Sequence, residues 1–187
     1  MVTTKGRARL SRRGHSWLLA VGLVATVALW QGLDNFAHSH GFLINRTPSL
    51  PNWAFWVERG ALPVRGEIAF FAPPRSPLVL RHFGKDAAGF GKIAYGVGGD
   101  LVERHGKFVF VRPRQSDGSF ASNVQPVGEL KPLTKAGEVL EPGPVGVIPQ
   151  GCYYMGSPHR DGFDSRYSAV GFVCARQIVA VARKVLL

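Results

Sequence analysis

Hydrophobic and polar positions divide the chain into three stretches. Residues 1–15 are polar and basic, and residues 16–33, SWLLAVGLVATVALWQGL, then form one apolar run with no charged side chain. As a helix of about 18 residues rising about 1.5 Å each, this run spans about 27 Å, sufficient to cross a hydrocarbon core. Beyond it the apolar positions come in short runs broken by Gly and Pro: EIAFFAP, SPLVLRHFG, KIAYGVGGD, GKFVFVRP, GPVGVIPQGCYYMG and VGFVCARQIVAVARKVLL. These are rich in Val, Ile, Phe and Tyr with little helical periodicity, so each reads as a strand and the body as mainly β. FGKDAAGFG, at 83–91, fits a helical turn or a loop. Pro132, Pro142, Pro144 and Pro149 mark residues 112–149 as an irregular excursion. The C-terminal ARQIVAVARKVLL fits a strand running into a short amphipathic helix.

Charge sharpens this division. The formal net charge is +11 over 187 residues, but Lys5, Arg7, Arg9, Arg12 and Arg13 all lie in the first fifteen, leaving 18 basic against 12 acidic side chains scattered over the remainder. That distribution, without an RNP-like or zinc-binding motif, argues against nucleic acid as the partner. A basic tail ahead of the apolar run predicts a cytoplasmic N-terminus, with Trp17 and Trp30 at the interfaces and the body translocated. A cleaved secretory signal is the alternative, but Gln31, Gly32, Leu33 and Asp34 after Trp30 offer no small-x-small site. Cys152 and Cys174 would then share an oxidising compartment, which permits a disulfide; a pair of small buried thiols is the other reading. No Cys or His cluster has metal-ligand spacing, and no cofactor is expected.

Ser49 lies in INRTPSLPNW between Pro48 and Pro51, which restrict their own φ and push Thr47 and Leu50 towards extended geometry. The stretch is either an ordinary loop or a nucleophile on a rigid turn. A serine hydroxyl needs a base, and no histidine has a context suggesting a His–Asp pair. Lys92, in FGKIAYGVGGD, shares a strand face with Phe90 and Ala94. A lysine buried there loses ammonium solvation and its pKa falls; a lysine snorkelling to water keeps it. Phe42, Trp53, Phe55 and Trp56 crowd the serine and suit either core packing or contact with a lipid interface.

Three segments, TPSLP after the apolar run, GKIAYGVGGD, and GSPHRDGFDSRYSAVGFV, occur in an order that resembles type I signal peptidases, the Ser/Lys membrane proteases. The GFDSRY core is most similar to the TraF-type conjugative transfer peptidases. The resemblance covers about residues 16–110 and 145–187 and leaves 112–144 unmatched. It implies a basic cytoplasmic tail over 1–15, a transmembrane signal anchor over 16–33 and a periplasmic catalytic domain over 34–187, built of coiled antiparallel β-sheets with an irregular insertion at about 112–144. The implied location is the inner membrane, with lipid as one partner. By position, Ser49 matches the family's nucleophile and Lys92 its general base. Thr47 and the Ser49 N–H match the oxyanion donors, and Asp164, Ser165 and Arg166 match the supporting DSR. The implied activity is cleavage of leader peptides or maturation of pilin precursors; an inactive, membrane-tethered β domain of a secretion or conjugation apparatus is the alternative. One departure bears on chemistry. The family carries a serine two residues before the DSR aspartate, where its hydroxyl orients the lysine, and this chain has Gly162.

Overall fold

The computed structural model describes residues 12–45 and 49–186. It divides into two compact units, residues 1–39 and 40–187. The first is a helix, α1 (Arg12–Ser39), of 28 residues. Its segment Ser16–Ser39 has a mean hydropathy of 1.6 and is long and apolar enough to cross a membrane. Trp17, Leu19, Leu23, Val24 and Trp30 are all exposed. A helix apolar on every side gains nothing from water, and lipid is the solvent that suits it. The helix runs past the uncharged stretch 16–33 at both ends, because Arg12, Arg13 and Asp34 are compatible with helix although not with hydrocarbon.

The second unit is mainly β, as the residue pattern predicts. A seven-stranded antiparallel sheet has the order β1 (His40–Ile44), β2 (Ala54–Arg59), β11 (Ile178–Val185), β3 (Ile68–Phe71), β4 (Phe90–Val97), β9 (Cys152–Gly156), β10 (Val173–Cys174). A second sheet of four strands has the order β7 (Gln125–Glu129), β6 (Phe108–Arg112), β5 (Leu101–His105), β8 (Gly146–Val147). β11, near the C-terminus, sits between β2 and β3, so the large sheet is closed by residues far apart in the chain. Three apolar clusters fill the body. One gathers Leu50, Phe55, Val57, Phe70 and Ala180; another holds Ala69, Phe71, Ala94, Met155 and Val173; the third joins the sheets through Tyr95, Val102, Val111, Ile148 and Tyr154.

The stretch 112–149, expected to be irregular, contributes β7 to the second sheet, and two further elements differ from the sequence reading. SPLVLRHFG is not a strand but a helix, α2 (Pro77–Phe83). The Ser76 hydroxyl accepts from the Val79 N–H at 3.4 Å, Pro77 occupies the first turn, and Gly84, at φ 79°, ends the helix by donating to the Leu80 carbonyl. A Ser-Pro start and a Gly stop outweigh the β preference of three consecutive apolar residues. The C-terminal segment likewise carries no helix after its strand. A single 3-10 turn, Ala175–Gln177, precedes it, and β11 continues to Val185. β11 stays extended because both its edges are paired, with β2 and β3.

Candidate active site

The loop between β1 and β2 carries Ser49. Asn45 closes it: its N–H donates to the Trp53 carbonyl at 2.8 Å, and its Nδ2 donates to the carbonyls of Leu50 and Asn52 at 3.4 and 3.3 Å. Thr47 and Pro48 lie outside the described residues. Leu50 is buried beside Phe70, and its Cδ1 lies 3.3 Å from where a side chain on Gly91 would begin. The turn is thereby seated against the start of β4, one residue from Lys92. Backbone clasp and apolar peg together hold the segment in place.

Lys92 is 5% exposed. Strand pairing places it across from Ala69 on β3, and its own face of β4 carries Phe90 and Ala94. Among the described residues it forms no salt bridge. Burial pushes its pKa below the ordinary 10.5; the Asp164 charge pulls back up and the Arg166 charge adds to the fall. An amine in this setting is a better base at neutral pH than a solvated lysine.

Asp164 and Arg166 are fully buried and bonded to each other. Arg166 donates from Nε to Oδ1 and from Nη2 to Oδ2, each at 2.8 Å, in a two-pronged pair. The same guanidinium donates to the carbonyls of Gly162 (3.0 Å) and Glu129 (3.1 Å), tying the DSR loop to β7. Burial works against the Arg166 charge, but hydrogen bonding to Asp164 prevails and its pKa lies above the ordinary value. Ser165 fastens the loop to β9: its N–H donates to the Met155 carbonyl and its hydroxyl accepts from the Met155 N–H, both at 2.9 Å. The DSR triplet is therefore a buried brace behind the face that carries Lys92.

The four aromatic residues near Ser49 divide by face. Phe55 is in the core, Trp56 is half-buried with Phe42 packed edge-on at 4.7 Å, and Phe42 and Trp53 are 67% and 53% exposed. Cys152 and Cys174 are joined in a disulfide across β9 and β10, where the register sets them opposite one another. A cavity of about 290 Å³ against α2, lined by Ser76, Arg81, Leu140, Glu141, Tyr167 and Ser168, includes neither Ser49 nor Lys92. An extended peptide reads a strand edge or groove and does not require such a pocket.

Sequence reasoning passed over two residues that organise this site. Asn45 closes the serine turn, and Ser157, 1% exposed, donates its hydroxyl to the Ser49 carbonyl at 2.5 Å. Neither is flagged by a local motif; Ser157 lies 108 residues from Ser49. A sequence model of the family described as signal peptidase, peptidase S26, matches residues 15–187. No curated protein matches the chain.

Proposed function

The chain belongs to the signal peptidase family, peptidase S26, whose members are serine peptidases acting on leader peptides, and on that premise we propose that Ser49 and Lys92 are its catalytic dyad. The observation that carries this reading is a lysine buried without a paired carboxylate among the described residues, on the strand against which the Ser49 turn is packed. The neutral Lys92 amine takes the Ser49 proton as Oγ attacks the scissile carbonyl, then gives that proton to the departing new amino terminus as the acyl-enzyme forms, which leaves Lys92 neutral again. The Ser49 N–H and the Thr47 hydroxyl are assigned to the developing oxyanion. Water, activated by the same amine, releases the leader, and Asp164, Ser165 and Arg166 brace the site from behind.

The GFDSRY core supports a finer assignment to the TraF-type branch, with pilin precursors of a conjugation apparatus as substrates. The basic tail and apolar α1 support anchoring in the inner membrane with the catalytic domain on the periplasmic side. The exposed Phe42 and Trp53 support contact of the domain with lipid. An amine acceptor in place of water would cyclise the product, which mass spectrometry reads as the loss of one water. Gly162 favours a second reading, an inactive tethered β domain, because the hydroxyl that orients the family's lysine is missing there.

Ser49→Ala and Lys92→Ala decide between the two. Each is expected to lower processing of a coexpressed precursor by more than about 10³-fold while membrane insertion and folding persist. Processing that survives both changes would leave the tethered-domain reading. In the active enzyme kcat/KM rises with pH as Lys92 loses its proton, and burial sets that rise below pH 10.5.

A further inference from the structure

Ser157 fills the space that a side chain at position 162 would need. A Cβ built on Gly162 meets Ser157 Cβ at 2.8 Å, Ser157 Oγ at 2.9 Å and Arg166 Nη2 at 2.6 Å. Two serines cannot occupy 157 and 162 together without displacement, so the chain has one hydroxyl in this volume and it comes from 157.

Strand register places Ser157 opposite Lys92. β4 and β9 pair antiparallel with Ala94 opposite Met155 and Ile93 opposite Gly156. Lys92 precedes Ile93 on β4 and Ser157 is the first residue past β9, so the register carried one step further sets them opposite each other on the side of Ala94 and Met155. Side chains opposed in this way have Cβ atoms about 4.5–5.5 Å apart. A hydroxyl has one proton and two lone pairs. The proton of Ser157 goes to the Ser49 carbonyl at 2.5 Å, and one lone pair takes the His159 N–H at 3.2 Å. The second lone pair is left to accept from an amine N–H. With its proton committed to Ser49, Ser157 does not compete for the amine's own lone pair, the one that must take the nucleophile's proton.

We propose that Ser157 is the positioning residue for the general base, accepting from Lys92 Nζ–H while holding the Ser49 carbonyl, in place of the serine absent at position 162. The inference rests on the Ser49–Lys92 dyad. It removes the objection raised by Gly162, since the orienting hydroxyl has moved across to the end of β9.

The test uses the full chain in detergent micelles and a fluorogenic peptide with alanine at the first and third positions before the scissile bond. Ser157→Ala is expected to lower kcat by about 30-fold with KM within about twofold. Its rising pH limb should also move to lower pH, because a hydroxyl accepting from the amine steadies the ammonium form more than the neutral one. An unmoved limb or an unchanged kcat overturns the proposal. Ser157→Thr keeps a hydroxyl at 157 and is expected to recover at least about fivefold over Ser157→Ala. No recovery in a chain that melts within a few degrees of wild type also overturns the proposal; if the threonine variant does not fold, the Ser157→Ala profile decides. Activity retained in Ser49→Ala and Lys92→Ala would instead remove the dyad itself, a failure distinct from that of Ser157.

Discussion

The two ends of β4 treat buried charge in opposite ways. Asp100, three residues past the far end, is 1% exposed and receives Arg65 in two-pronged contact, Nη2 to Oδ1 at 2.6 Å and Nε to Oδ2 at 3.1 Å, together with the N–H groups of Val97 and Arg114 at 2.9 Å each. Lys92, near the first end, is almost as buried and is paired with no carboxylate among the described residues. A charge taken out of water costs several kcal/mol unless partners restore its solvation. This chain supplies such partners at Asp100, and again at Asp164 and Arg166, where the charges brace loops. At Lys92 it leaves the cost standing, and the amine loses its proton more readily. The uncompensated group is the one to which the proposed mechanism gives proton transfer.

The comparison can be broken or sharpened by removing one charge at a time. Asp164→Ala should have the largest effect on stability. It strands the Arg166 guanidinium in the interior and is expected to cost about 4 kcal/mol in denaturant unfolding. A loss below about 1 kcal/mol would mean that the buried pair is not the brace described. Asp100→Asn keeps the shape but removes the charge that Arg65 faces. About 2 kcal/mol of destabilisation is expected, with the pH limb of activity unmoved; a moved limb would couple the two ends of the strand.

Lys92→Met should have the smallest effect on stability, and of opposite sign. Because burial lowers the folded pKa below 10.5, the unfolded chain binds a proton that the folded chain does not between those two values. Wild-type stability is therefore full above pH 10.5 and declines as pH falls towards the folded value. The methionine variant lacks that decline, so it should melt above wild type at pH 7 and converge with it as pH approaches 10.5. A variant that melts lower at pH 7 would mean the ammonium is solvated after all.

Legibility in the sequence followed the range of the interactions. The strands β3, β4, β6 and β9 announce themselves because β-branched and aromatic residues cluster between Gly and Pro breaks. β1, β2, β5 and β7 carry no such mark: HGFLI, AFWVER, LVERH and QPVGE mix polar with apolar positions, and only their pairing partners make them strands. α2 was misread because three apolar residues in a row fit either period, and its Ser76 cap and Gly84 stop carry the information instead. At the site, Ser49, Lys92 and the DSR triplet stand out through ordered motifs, and the departure at Gly162 is plain in the sequence. Its counterpart at Ser157 is not, since nothing local marks a serine whose partner is 108 residues away.

By itself the sequence determined an apolar helix fit for a membrane, a β-rich body and the residue types from which a serine and an amine could be drawn. These depend on composition and on spacing within one segment. Only the tertiary structure decided that Lys92 is buried without a salt bridge among the described residues, that Asp164 and Arg166 spend their charges on one another, and that the Ser157 hydroxyl, just past β9, holds the Ser49 carbonyl. Each of these depends on which strands lie side by side, and in an antiparallel sheet closed by β11 that neighbourhood is set by residues far apart in the chain.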